Sequence, residues 1–360
     1  MKDLFQPGCK KKKGPLHALA LVVLSFFSQL YRLGCSIRLF LYRHGLRGQT
    51  KLAARVISVG NITVGGTGKT PLVIYLVKKL GARGKKVAIL TRGYKREKKQ
   101  MVELTQATCH QVDWHDTGDE PYLLAQRLSD VPIIVTKNRC SSGDYAIHKH
   151  GAQFLILDDG FQHLKLFRNI DIVVIDSVNP FGNGKLLPAG ILREPLTSLK
   201  RADVFVLTKT DQVSNTDGLI EILRRYNPKA PVVESVYQIR SIERLSDGSL
   251  VKADEVENKK ALAFSGIGNP LSFENTLTQL RIRILRHRKF SDHFPYGKKD
   301  LLELSQEAES LGVDLIITTE KDSVRIPLIN EPKIPIYVLK IDLKVTDGEE
   351  MLFKQVEGKV

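Results

Sequence analysis

Cysteine is scarce in this 360-residue chain: Cys9, Cys35, Cys109 and Cys140 are far apart and form no C-x-x-C pair. That argues against a disulfide framework or a zinc site and suits a reducing compartment. Acidic residues are nearly missing from the first 55 positions. Eleven Lys/Arg stand there against one acid, Asp3, so this stretch carries +10 of the formal net charge of +16. A long apolar run is missing too. The uncharged stretch from Gly14 to Tyr31 is 18 residues and includes Pro15, His17, Ser25, Ser28 and Gln29, which weakens a membrane-spanning reading. There are no internal repeats, and low complexity is confined to Lys10–Lys13. What remains is ordinary: 42% hydrophobic residues and a length that suits two domains with a buried core.

The basic N-terminus has several readings. An excess of positive charge can serve nucleic acid. Here, however, Lys10–Lys13 precede Leu16 to Phe27, and Arg32, Arg38, Arg43 and Arg47 follow. A basic helix with apolar and aromatic residues has the composition of an interfacial anchor on anionic lipid. A spanning helix, a cleaved signal peptide and a buried core helix are the alternatives.

The most informative segment is Thr63-Val64-Gly65-Gly66-Thr67-Gly68-Lys69-Thr70-Pro71. It follows an apolar run, Val56 to Val59, that reads as a strand, and it precedes a helix-like run, Leu72 to Leu80. Strand, glycine-rich turn, Lys-Thr and helix form a cradle for nucleotide phosphates. Lys69 would reach the β/γ-phosphates and the Thr70 hydroxyl would ligate Mg²⁺. The general pattern has glycine where this chain has Thr63. The bland alternative is a turn carrying a surface lysine.

Further along, Lys85–Thr91, Val131–Val135, Phe154–Leu157, Ile170–Ile175 and Val204–Leu207 read as strands separated by helices or loops, with a polar excursion over 97–117. Such alternation predicts an α/β fold with an open, mainly parallel sheet covered by helices on both faces. Val232 to Val251 alternates around the turn signal Ser246–Ser249 and reads as a two-stranded connector. Strands at Ala261–Phe264 and Leu315–Thr318 make the C-terminal part a second α/β domain. The expected organisation is an N-terminal helical segment (1–50), a P-loop core (51–231), the connector (232–256) and a smaller C-terminal domain (257–360).

Three constellations could carry chemistry. Asp158 and Asp159 end an apolar strand, where open α/β sheets bind ligands and P-loop proteins complete a Mg²⁺ site. An exposed Asp-Gly turn is the bland alternative. Gly118-Asp119-Glu120-Pro121 opens a helix, either as a mere acidic first turn or as a carboxylate set for chemistry. In Phe290 to Tyr296, His293 stands among aromatics, as a core histidine or a functional one. Arg281, Arg283, Arg286, Arg288 and Lys289 form a solvated face or a phosphate-binding set. Thr208-Lys209-Thr210-Asp211 weakly resembles the base-reading motif of GTPases.

These segments, with Thr91-Arg92-Gly93-Tyr94, Asp158 to His163, Leu187 to Pro195 and Thr319 to Asp322, occur in an order that resembles the tetraacyldisaccharide 4′-kinase family. That family serves lipid A synthesis in Gram-negative bacteria. The resemblance spans residues 58 to 322, includes the N-terminal helix, and makes Thr63 a family feature. It implies an ATP- and Mg²⁺-dependent kinase acting on a lipid-borne disaccharide 1-phosphate at its 4′-hydroxyl. Asp119 would be the base, assisted by His293 from the second domain across an interdomain cleft. Lys69 would stabilise transferring charge, and Thr70, Asp158 and Asp159 would hold Mg²⁺. Arg92, His163, Arg193 and Glu194 are lesser candidates for substrate contact or site organisation. The implied partner is an anionic membrane surface, not nucleic acid, at the cytoplasmic face of the inner membrane. The rival readings are a P-loop GTPase or ATP-driven metallochaperone-like switch, and a non-catalytic binding module.

Overall fold

Strands in this chain read as unbroken apolar runs because they are covered on both faces. In the computed structural model, which describes residues 15–327 and 332–358, every residue of Phe154–Asp158, Ile170–Asp176 and Val204–Thr208 is buried. Burial of both faces is the rule for parallel sheets. The Lys10–Lys13 run and Cys9 lie outside the described residues.

The chain forms two compact units. The first holds the residues up to Lys69, Arg139–Val236 and the C-terminal stretch from Val345. Its central strand, Arg55–Gly60, runs parallel to Phe154–Asp158 on one side and Ile170–Asp176 on the other. Val204–Thr208 continues the sheet, and Val232 to Glu234 pair beyond it. Ile62, Phe161, Val173, Ile175, Phe205 and Leu207 are among the residues of a core that supports the loop after the first strand. The helix Lys69–Ala82 starts directly after that loop, with Leu72, Val73, Leu76 and Leu80 turned inward.

The second unit holds Thr70–Asn138 and Tyr237–Lys344. Val87–Thr91 and Ile133–Val135 pair in parallel, and Val102–Leu104 adds an antiparallel strand. The stretch 97–117, expected as a polar excursion, thus contains this strand and the short helices Gln106–Cys109 and Trp114–Thr117. In the same unit Lys260–Ser265 lies between Arg283–Lys289 and Leu315–Thr319, and Ile336–Asp347 follows. The two-stranded pairing around Ser246–Ser249 is present, Ile242 opposite Val251. Arg283–Lys289 is a strand that apolar patterning does not reveal. It pairs on one side, and its basic residues Arg286, Arg288 and Lys289 meet Glu307, Glu303 and Glu274 instead of forming a free phosphate-binding set.

Among the described residues, no helix is long and apolar enough to cross a membrane. The N-terminal helix, Pro15–Arg43, is turned the opposite way from an ordinary amphipathic helix. Its polar groups hold the protein: Ser28 Oγ donates to the Leu186 carbonyl at 2.7 Å, Tyr31 to Arg193 at 2.8 Å and Arg38 to Gln162 at 2.6 Å. Val22, Phe26, Phe27, Leu30, Leu33, Ile37 and Phe40 point outward, each at least half exposed.

Candidate active site

Two clusters of functional side chains form, one in each unit. The first is the glycine-rich loop. Asn61 Nδ2 donates to Thr67 Oγ1 at 3.0 Å, and Thr208 Oγ1 donates to the Thr67 carbonyl at 2.9 Å, so the loop is braced from below. Thr63 is buried and forms a bridge with Leu192. The N–H of Val64 donates to Ile191 and that of Arg193 to Ile62, at 2.8 and 2.7 Å. The expected loop Leu187 to Pro195 is therefore joined to the phosphate loop by backbone.

That junction delivers Arg193. Its guanidinium Nη1 reaches both oxygens of Asp159, at 3.0 and 2.9 Å, and Lys69 Nζ lies 3.5 Å from the same carboxylate. Burial pushes the Asp159 pKa up, but the nearby Lys69 and Arg193 charges outweigh it and hold the group at about 2. Asp158 is buried as the last residue of its strand, and the chain turns at Asp159 with φ 51°. Gly60 allows the Asp158–His163 segment to lie so close, since a Cβ there would stand 2.6 Å from the Phe161 nitrogen.

The remaining residues of this unit have supporting places. Glu194 is buried and paired with Arg201 at 2.9 Å. His163 is half-buried, and burial, with the charges of Arg139, Arg168, Arg38 and Lys165, lowers its pKa to about 4. Lys209 is buried against Asp176 at 2.5 Å, and Thr208 serves the phosphate loop, so this segment has structural partners of its own.

The loop suits a polyphosphate. Gly65 and Gly68 have φ of +116° and +94°, open space surrounds the Gly65 Cβ direction, and a 14-residue helix begins at Lys69. The oxygens of Thr70, Asp158 and Asp159 are donors of the kind Mg²⁺ takes. Among the described residues no group of three His, Cys, Asp or Glu could hold a metal. That donor set fits an ion carried largely by nucleotide phosphates rather than a dedicated protein cage.

The second cluster centres on Asp119, which opens the helix Asp119–Arg127. The sequence left Asp119 open between a helix-start residue and a site residue; the structure gives it the helix start and a histidine partner as well. Its Oδ1 accepts the N–H of Glu120 at 2.9 Å, and its Oδ2 meets His293 Nδ1 at 2.7 Å, although 174 positions separate the two residues. Arg325 Nε is 3.4 Å from Oδ2. Only 3% of Asp119 is exposed, and burial alone would raise its pKa. The hydrogen bond to His293 and the charges of Lys321 and Arg325 bring it below the usual carboxylate value.

The local backbone explains how His293 is held. Its φ is 60°, its N–H donates to the Gly266 carbonyl at 3.1 Å, and the Tyr94 ring lies 5.2 Å away. Tyr94 arrives there because Gly93 packs against Gly118. A Cβ on Gly93 would stand 2.2 Å from the Thr117 carbonyl. Arg92, just before, is exposed. Beneath, Asp322 accepts from Gly266 N–H at 2.8 Å, Tyr296 OH at 2.9 Å and Arg325 at 2.5 Å. Asp322→Ala should therefore destabilise the protein by about 3–5 kcal/mol, because it removes one of the two carboxylates that pair the buried Arg325 and leaves Gly266 N–H and Tyr296 OH without their acceptor. Chemical denaturation checks this, and a loss below about 1 kcal/mol would contradict it.

Sequence reasoning did not find Tyr94, Glu120, Lys321 or Arg325 as site residues. The signals were slight: the Thr319–Asp322 segment carried no assigned role, and Arg325 stands three positions after Asp322.

Comparison with known proteins agrees over nearly the whole chain. A family model described as tetraacyldisaccharide-1-P 4′-kinase (LpxK) matches residues 20–360. A tetraacyldisaccharide 4′-kinase of Halothermothrix orenii is 38% identical, with 93% of this chain and 92% of that protein covered. One from Syntrophus aciditrophicus is 37% identical, with 94% and 92% covered. Among solved structures, LpxK from Aquifex aeolicus in complex with ATP superposes with a TM-score of 0.73 at 32% identity, with 94% and 98% of the chains covered. These matches do not favour the GTPase or metallochaperone reading. With its phosphate loop, its Asp–His pair and this similarity along its length, the chain belongs to the tetraacyldisaccharide 4′-kinase family.

Proposed function

We propose that this chain carries out its family's reaction with Asp119 as the base: transfer of the ATP γ-phosphoryl to the 4′-hydroxyl of a tetraacyldisaccharide 1-phosphate. The observation that carries the assignment is the 2.7 Å contact between a buried, low-pKa carboxylate and an imidazole. Asp119 accepts the proton of the hydroxyl as its oxygen bonds to the γ-phosphorus. The bond from that phosphorus to the ADP oxygen breaks, and ADP leaves. Lys69 stabilises charge on the transferring group. Thr70, Asp158 and Asp159 would hold Mg²⁺, which supplies charge neutralisation on the phosphates. Arg193 positions Asp159 and Lys69 relative to one another, while Glu194, fixed by Arg201, steadies the loop that carries Arg193. Labelled ATP and the tetraacyl disaccharide 1-phosphate, followed by product analysis, test the reading. Label at the 4′ position is expected, and absence of label on the sugar would overturn it.

The outward apolar face of the N-terminal helix supports work at a membrane surface, where an acyl-chained acceptor resides. We place the protein at the cytoplasmic face of the inner membrane, attached by this face and by the basic residues around it. Each buried aromatic contributes roughly 1.5–3 kcal/mol. Phe26→Ser with Phe27→Ser should thus weaken binding to anionic vesicles at least about tenfold, with ATP affinity unchanged. Equal vesicle affinity in a co-sedimentation assay would remove the anchor.

A further inference from the structure

Lys321 has no assigned part in the reaction, yet its ammonium stands beside the second ring nitrogen of His293. Its ammonium donates to Glu120 Oε1 at 2.8 Å and lies 3.5 Å from His293 Nε2. An ammonium has donors only. The Asp119 carboxylate, which only accepts, meets Nδ1 at 2.7 Å and so calls for the ring proton there, while a cation beside Nε2 disfavours a second proton on the ring. We propose that Lys321 is a positioning residue that holds His293 as the neutral Nδ1–H tautomer, leaving the Asp119 carboxylate as the sole proton acceptor of the pair.

This inference rests on the proposed function and sharpens it. With Nδ1 protonated toward Asp119 and Nε2 engaged by Lys321, neither ring nitrogen can take the acceptor's proton. His293 orients the carboxylate instead. Each element packed around the imidazole contributes to the balance. Asp119 and Glu120 face it from the start of the helix Asp119–Arg127, and Lys321 and Arg325 from the segment after Leu315–Thr319. Asp292, on the imidazole's own loop, has Oδ1 3.9 Å from Nε2, beyond hydrogen-bond reach, so Lys321 is the nearer partner. The Tyr94 ring closes another side without adding charge. Glu120 fixes the ammonium in turn, which explains why two adjacent carboxylates, Asp119 and Glu120, have separate tasks.

Nitrogen-15 NMR of histidine-labelled, full-length resting enzyme reads the tautomer directly. The expected pattern at neutral pH is a pyrrole-type Nδ1 and a pyridine-type Nε2 for His293, assigned by its loss in His293→Gln. Lys321→Met, which removes the cation beside Nε2, should convert that signal to imidazolium. It should also lower kcat by about 10²-fold with KM for ATP unchanged, and move the acid limb of the rate profile to higher pH. Lys321→Arg, which keeps a donor-only cation, should restore the wild-type limb. A wild-type imidazolium or Nε2–H signal overturns the proposal, as does an unchanged signal in a folded Lys321→Met. Because the spectrum is taken without substrate, it stands apart from product analysis: a failed kinase assay with the expected tautomer overturns the reaction, not the geometry.

Discussion

Asp119→Asn should lower turnover by about 10²–10⁴-fold while ATP still binds. The substitution keeps the shape and the ability to accept the N–H of Glu120, but an amide cannot take the hydroxyl proton. It also removes the charge opposite His293, Lys321 and Arg325. The phosphate loop owes none of its braces to Asp119. The checks are steady-state turnover and nucleotide titration on the same sample; turnover within a few-fold of wild type would remove Asp119 as base. The direction of its pKa adds a second observable. A carboxylate lowered by folding contributes stability that is present above its unfolded pKa, about 3.9, and is lost as pH falls through the folded value. Wild type should therefore lose stability relative to Asp119→Asn only below about pH 4. For the same reason the carboxylate stays ionised, and competent as a base, throughout the neutral range.

Lys69→Ala should reduce kcat by about 10²–10³-fold, the cost of removing one preorganised charge from the transferring group. Here KM for ATP should rise as well, since the ammonium meets the nucleotide in both ground and transition states. Lys69 and Arg193 together hold Asp159 at about 2, so removing Lys69 should also raise the Asp159 pKa. Lys69→Arg should not restore activity: the planar guanidinium cannot replace a compact ammonium at the end of a flexible stem. Kinetics over a range of ATP concentrations check both parts. An unchanged KM with a reduced kcat would confine Lys69 to the transition state.

The contrast between Lys69 and Asp119 shows how far the residues could be read without coordinates. The phosphate loop was legible because its chemistry is local. Consecutive glycines, a lysine and the start of a helix are enough to specify it, and Gly65 and Gly68 do adopt the backbone such a loop needs. Buried strands were legible as apolar runs. Arg283–Lys289 was not, because it pairs on one side and carries charge where patterning looks for apolar residues. Asp119 stayed ambiguous for a different reason. An acid at a helix start satisfies backbone donors whether or not it does anything else, so the same four residues serve both readings. Resemblance to a family implied a role and a partner, His293, for Asp119, and the structure gives the contact between the two, 2.7 Å.

By itself, then, the order of residues determined an α/β fold, a phosphate-binding loop at Lys69 and a basic, apolar N-terminal helix. Each follows from interactions within a few positions of chain. Only the tertiary structure decided that Asp119 meets His293, that Lys321 sits between His293 and Glu120, and that Arg193 and Lys69 both face Asp159. It also decided that the N-terminal helix turns its polar side inward and its apolar side out. These are contacts between distant segments, set by how buried strands and helices pack. The ionisation of a carboxylate depends on the burial and the charges that packing brings to it. No spacing along the chain encodes those.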